Sequence, residues 1–259
     1  MTPGSAVGPV QILGAAFFST RHASARDVLA RRERPFTAPT YGLLVGRARR
    51  FTSLVTQMHM EVCGSLHPDA ANPPAAVFAT CHGEIQTAER LIADFRDSQM
   101  VSSARFALSV HNAPSGVYSV ATGSTAPATT VTGANAIAAG WLEASLTALH
   151  GERTVLLSIA DEPVPAVFRG PTETAGVAAA FLVGAAPDGP GTGRRVELAV
   201  VTSPGACDGS GEVSPLRVLA QAADAWARPE PATVALGWIQ PDAMLELRFA
   251  PAALEGARA

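Results

Sequence analysis

Lysine is absent from this 259-residue chain; all 19 basic residues are arginine. That absence excludes a Walker A phosphate loop, a pyridoxal Schiff base and any lysine nucleophile. Cysteine is scarce too. Cys63, Cys81 and Cys207 are too few and too scattered for a disulfide framework or a zinc site. They read as free thiols in a reducing compartment, so a cytoplasmic location is expected, with no metal and no cofactor. Charged residues make up only 16% of the chain and the net charge is −3, which offers no electrostatic case for nucleic acid or an anionic membrane. No uninterrupted apolar run reaches the roughly 18 residues of a membrane span. The N-terminus lacks a basic segment, and Pro9 and Gly14 interrupt its apolar run, so neither a spanning helix nor a signal peptide is expected. There is no Gly-x-Ser-x-Gly elbow. Histidine occurs at 22, 59, 67, 82, 111 and 150 and nowhere beyond.

What is present is apolar and layered. Hydrophobic residues form 47% of the chain, enough for one substantial core and a single domain over 1–259. Val10–Phe18 suits a buried strand, and Ser24 is placed to cap a short helix ending near Arg31. Residues 32–46 read as loop. From Arg49 onward Phe51, Leu54, Val55, Met58 and Val62 recur at helical spacing until Asp69–Pro74 breaks the pattern. Ala75–Thr80 reads as a strand, Glu84–Phe95 as a helix. Asn112 is placed to cap a helix to Thr122 with Pro114 in its first turn. Ala128–Thr132 then reads as a short strand, Ala136–His150 as a helix and Thr154–Ala160 as a strand. Strands follow at 174–183 and 195–202 around a Gly/Pro turn at 184–193. The tail offers a helix over Pro215–Ala227 and strands near 232–238 and 243–249. Alternation of this kind predicts an α/β fold with helices covering a sheet.

Several side chains invite a chemical reading. Cys81 and His82 are adjacent at a strand end, but neighbours on a strand point to opposite faces, which favours an inert thiol over a nucleophile–base pair. His111 reads as a satisfied structural histidine. Asp161-Glu162 falls at a strand end, where carboxylates commonly solvate a turn, although open α/β sheets also gather sites there. Gly189–Gly193 is a turn, because a phosphate loop would need the missing lysine. Arg47, Arg49 and Arg50 form the one basic cluster able to meet an acidic carrier protein, and read equally as a solvated helix start.

The segment Asn112-Ala-Pro-Ser-Gly116, followed by Ala126–Asn135, resembles the approach to the active site of β-ketoacyl synthases, and the order of elements resembles the N-terminal half of the thiolase fold. Val77-Phe-Ala-Thr-Cys-His-Gly83 and Gly176–Val183 fit the same pattern. Phe106–Ala113 and Asp161-Glu-Pro163 are similar to the half-length ketosynthase-like chain-length factors of aryl-polyene and related type II clusters. The resemblance spans about 10–203; 204–259 match only loosely. It implies a thiolase-like α/β fold and places Asn135 where the family has its cysteine nucleophile. The family also draws two catalytic histidines from its C-terminal half, and this chain has none there.

The resemblance therefore implies a non-catalytic subunit that pairs with a full-length ketosynthase as a heterodimer and limits chain length in polyketide or fatty-acid-like synthesis, with an acyl carrier protein as a further expected partner. By that resemblance Ala128–Thr132 is the seam strand, with Thr129, Thr130 and Val131 at the interface and Asn112 beside it. Val117, Tyr118 and Ala121 are candidates for the tunnel wall, chosen by helical spacing. Asn135 has two compatible readings: a buried cap for the helix starting at Ala136, or a relic of the nucleophile that still shapes an acyl pocket. A charge at Val131 is expected to separate the pair, and one at Arg194, taken as exposed, to do little. The alternatives are a stand-alone homodimer that binds acyl groups or carrier protein, and a small acyl-transfer enzyme using Cys81 or a serine.

Overall fold

The computed structural model describes residues 6–40, 43–44, 46, 52–66, 68, 71–151, 153–168, 174–188, 191–202, 214–240 and 243–252. Arg47, Arg49, Arg50, Phe51, His67 and Cys207 lie outside the described residues. Eight strands form one sheet: β1 Ala6–Ser19, β2 Ala75–Thr80, β3 Ala128–Thr132, β4 Val155–Asp161, β5 Val177–Ala185, β6 Arg194–Thr202, β7 Ala232–Gln240 and β8 Ala243–Phe249. Their order is β3-β2-β4-β5-β1-β6-β8-β7. β2 runs parallel to both β3 and β4, and the other pairings are antiparallel. The helices are α1 Ala25–Leu29, α2 Leu54–Ser65, α3 Ile85–Ser98, α4 Ser103–Ala107, α5 Ala113–Thr122, α6 Ala136–Gly151 and α7 Pro215–Ala227.

Side-chain alternation divides the core between the two faces of the sheet. Val77, Ala79, Leu157, Ile159, Ala179 and Phe181 turn toward α6 and α7, where Trp141 meets Phe181 at 4.7 Å between ring centroids. Ala76, Phe78, Leu156, Ala160, Ala178 and Ala180 turn toward α2 and α5. α6 lies so close to β2 that a Cβ at Gly140 would stand 2.8 Å from the Ala79 Cβ. Glycine is required there by space, and at Gly133 by a φ of +112° in the turn from β3 into α6.

Several boundaries differ from the sequence reading. β1 begins four residues earlier than expected, passing Gly8 and Pro9 by a register shift against β6 between Val7 and Val10. α2 starts only at Leu54, because the Ser53 hydroxyl accepts the Thr56 N–H at 3.1 Å and closes the helix start. α3 runs three residues further, to Ser98, and ends at a left-handed Gln99. β5 starts three residues later, at Val177, and α4 is an additional short helix. Asn112 occupies the N-cap position of α5 without a side-chain capping bond; its carbonyl accepts the Ser115 hydroxyl at 2.8 Å instead. The tail is part of the same sheet: β8 pairs with β6, and α7 covers it.

Arg194 is the clearest correction. It is 8% exposed, not a solvated arginine. Its guanidinium donates to the carbonyls of Ala250 and Trp226, each at 3.1 Å, and to those of Ala225, Arg228 and Glu230. The Phe249 ring lies beneath it at 5.0 Å. One side chain thus satisfies the carbonyls that the end of α7 leaves open. Arg194→Ala is expected to cost roughly 3 kcal/mol or more, since several buried acceptors lose their donor together. Urea unfolding of the variant checks this, and a midpoint unchanged from wild type would contradict it.

Candidate functional site

Among the described residues β3 is the terminal strand of the sheet, with β2 as its neighbour on one side only. Ala76 N–H donates to the Pro127 carbonyl at 2.9 Å and Gly133 N–H to that of Thr80 at 3.3 Å. In a parallel ladder alternate residues serve the same neighbour. Residues 127, 129, 131 and 133 therefore bond to β2, while the backbone groups of Ala128, Thr130 and Thr132 point outward. Thr129 is exposed and Thr130 and Val131 half-buried. The Thr130 hydroxyl lies 3.3 Å from that of Ser115 on α5, which places α5 beside the strand. Val131 packs against the chain's own core, so a charge there would injure the fold as well as any seam.

The turn after β3 delivers Asn135 to the start of α6, where its carbonyl accepts the Ala139 N–H at 2.9 Å. The carboxamide is exposed, not buried as expected. Asn112 and Ala121 are exposed as well. Tyr118 is not available as a wall residue on the free chain. It is 2% exposed, its ring tilted against that of Phe78 at 5.6 Å between centroids, and Val117 packs into the same intramolecular cluster. The outward position on α5 is Val120, 86% exposed, which the choice by helical spacing missed. Ile92 and Phe95 on α3, Met100 beyond it, Phe106 on α4 and Val110 before α5 are exposed too. An ion pair from Arg105 to Asp94 at 2.9 Å ties α4 to α3.

Behind this edge, at the C-terminal ends of β2 and β4, lies a polar cluster at the strand end where the sequence suggests either a solvated turn or a gathered site. Asp161 and Glu162 are buried, at 5% and 3% exposure. Asp161 accepts the Thr80 hydroxyl at 3.0 Å, the Cys81 N–H at 2.9 Å and the His82 N–H at 3.0 Å. The His82 ring is turned to the same carboxylate, Nδ1 lying 3.5 Å from Oδ1. Cys81 and His82 are thus organised around Asp161 through their backbone. Burial pushes Glu162 up to about 7. His59 on α2 is fully buried, and burial lowers it to about 3. It is a neutral imidazole whose Nδ1 lies 2.8 Å from the Ser158 hydroxyl. Cys63 is buried and its thiol is pushed up to about 12, so it is inert. His111 is exposed. A usable signal for the cluster was the acidic pair directly following an apolar strand, the place where open α/β sheets gather polar groups.

Among the described residues no group of three or more His, Cys, Asp or Glu is placed to hold a metal ion, and no helix is long and apolar enough to cross a membrane.

Residues 29–230 match the family model of the β-ketoacyl synthase N-terminal domain. No curated protein matches the chain by sequence. Among solved structures, the chain is similar to the ketosynthase ApeO in complex with its chain length factor ApeC from Xenorhabdus doucetiae. The TM-score is 0.71 at 18% identity, over 92% of this chain and 98% of the matched one. The ishigamide ketosynthase/chain length factor gives a TM-score of 0.67 at 12% identity, over 95% and 100%. A β-ketoacyl synthase from Burkholderia phymatum STM815 gives 0.50 at 12%, over 70% of this chain and 60% of that one. At such identities the likeness establishes the fold: a thiolase-like α/β sheet with covering helices.

Proposed function

We propose that this chain, which belongs to the β-ketoacyl synthase N-terminal domain family, is the non-catalytic partner of a full-length ketosynthase and acts as its chain-length factor. The observation that carries the reading is the open edge of β3. An exposed strand edge is a template for pairing with another chain, and here exposed apolar side chains on α3, α4 and α5 accompany it. In each of these two ketosynthase/chain length factor structures the one matched chain is covered almost completely. Pairing through β3 would place Asn135 and the outer face of α5 at the seam. There Val120 and Ala121 are positioned to close a partner's acyl tunnel sterically. An obligate interface of this kind buries more than about 2,000 Å². A type II polyketide, aryl-polyene or fatty-acid-like pathway in the cytoplasm is the setting that fits, with an acyl carrier protein as the third participant.

Absence of catalysis is part of the proposal. Asn135 offers a carboxamide where the family has a thiolate, and a carboxamide cannot carry an acyl chain. No histidine follows His150, and His59 is sealed in the core as a neutral ring. Incubated alone with an acyl-carrier thioester, the protein is expected to remain unmodified by intact mass spectrometry. A stable acyl adduct, on Cys81 or any serine, would support the acyl-transfer reading instead. Co-expression with the ketosynthase of the same gene cluster is expected to give a one-to-one complex. A native mass of twice the monomer in the presence of that ketosynthase would favour the homodimer.

A further inference from the structure

Two carboxylates behind the β3 edge have no part in pairing or in tunnel closure. Glu84 and Glu162 are each 3% exposed. Glu84 stands at the N-cap of α3 yet makes no capping bond to it. Its Oε1 accepts the hydroxyls of Ser53 and Thr56, both at 2.7 Å, and its Oε2 that of Thr87 at 3.1 Å. Ser53 is itself the N-cap of α2, so a residue opening α3 is fastened to the start of α2. Glu162, from the end of β4, supplies the missing cap: its Oε1 accepts the Gln86 N–H in the first turn of α3 at 2.8 Å. The other oxygen of Glu162, Oε2, is buried without a hydrogen-bond partner. Glu162 lines a cavity of about 20 Å³ with His82, Asp161, Pro163 and Val177, room for about one water molecule.

The charges facing this pair do not neutralise it. Glu84 and Glu162 repel each other, and Arg90 on α3 acts on Glu162 only weakly. Asp161 on β4 is a third carboxylate, served by Thr80 and two backbone N–H groups, with His82 from the loop after β2 at its side. His59 on α2 is uncharged. Among the described residues neither Glu84 nor Glu162 forms an ion pair. The two helix N-termini favour negative charge, but one site this dry does not hold two anions side by side.

We infer that Glu84 and Glu162 form a proton-linked clasp, closed when the pair retains one proton, that fastens the N-termini of α2 and α3 to the end of β4 and loosens α3 when that proton leaves. The direction of titration agrees. Burial raises Glu84, and raises Glu162 from the ordinary carboxylate range to about 7. A carboxyl raised on folding contributes stability that is complete below its unfolded value and is lost as pH rises through its folded value. The clasp is therefore tightest near pH 5 and weakest above pH 8, and a rise from 4.5 to about 7 corresponds to a change on the order of 100-fold in its closing constant. Because α3 carries the exposed Ile92 and Phe95, the clasp would also govern how firmly that face is presented; only this consequence rests on the partner reading.

The test uses the full chain alone. Glutamate carboxyl signals are followed by ¹³C NMR, and amide exchange, corrected for its intrinsic pH dependence, is measured between pH 5.5 and 8.5. The signal lost in Glu162→Gln should titrate near pH 7. The amides of 85–98 should lose on the order of 100-fold protection relative to those of 136–151. Glu162→Gln and Glu84→Gln should each flatten that difference, and either suffices if the other does not fold. A Glu162 midpoint in the ordinary range near pH 4.5, or protection of 85–98 that tracks 136–151 at every pH, would overturn the clasp while leaving the partner reading untouched.

Discussion

Thr130→Pro is expected to separate the chain from its ketosynthase while leaving the monomer folded. The outward backbone groups of β3 belong to Ala128, Thr130 and Thr132, as the bonds from Ala76 to Pro127 and from Gly133 to Thr80 require. Proline at 130 removes an N–H that faces away from β2 and sets a pyrrolidine ring in the path of a mating strand, and edge positions are where a strand tolerates proline. The ladder to β2, carried by residues 127, 129, 131 and 133, stays intact. Affinity should fall by on the order of 100-fold, about 2.7 kcal/mol. Thr130→Ala is the control: it loses the 3.3 Å contact with Ser115 but keeps the N–H, and should still bind. Size-exclusion chromatography and titration calorimetry read the complex, and a thermal melt reads the fold. A complex that survives Thr130→Pro would remove β3 from the interface and with it the basis for chain-length control. Val131→Asp, the substitution that strand pattern alone suggests, is a poorer probe because Val131 is anchored in the core.

Local signals carried the fold far. Pro215 at the first turn and the apolar stripe behind it marked α7 to the residue, and Ala128–Thr132 and Ala243–Phe249 were bounded by turn residues that leave little choice. The errors fall where a distant partner decides. Arg194 looks like a strand-end charge until the carbonyls of 225–230, contributed some thirty residues later, close around it. Tyr118 and Val120 are two residues apart on one helix, and only the positions of α2 and Phe78 determine that the first is buried and the second bare. Glu162 reads as a turn carboxylate because its partner, Gln86, lies 76 residues back in the chain. The site was half legible on the same terms: β3 and Asn135 follow from local order, whereas the buried cluster behind them exists only once β2 and β4 are side by side.

Asn135→Cys is expected to create a reactive thiol and no condensing enzyme. The side chain at 135 is exposed at the start of the 16-residue α6, and a helix N-terminus favours the thiolate. The new cysteine should react with iodoacetamide well ahead of Cys63, whose buried thiol is pushed up to about 12. It is also placed to accept an acyl group from a carrier thioester. Carbon–carbon bond formation asks for more: a malonyl group must lose carbon dioxide and its enolate must be held while it attacks the acyl thioester. On the proposed reading this chain does not supply that. No histidine lies beyond 150, His59 is neutral and sealed, and the His82 ring is turned to Asp161. The variant alone, given acyl- and malonyl-carrier protein, should therefore accumulate at most an acyl-enzyme, seen as a mass shift, with no β-ketoacyl product by liquid chromatography. Turnover to that product would mean that the catalytic deficit lies in the single residue at 135, and the chain would then be a silenced enzyme rather than a partner subunit.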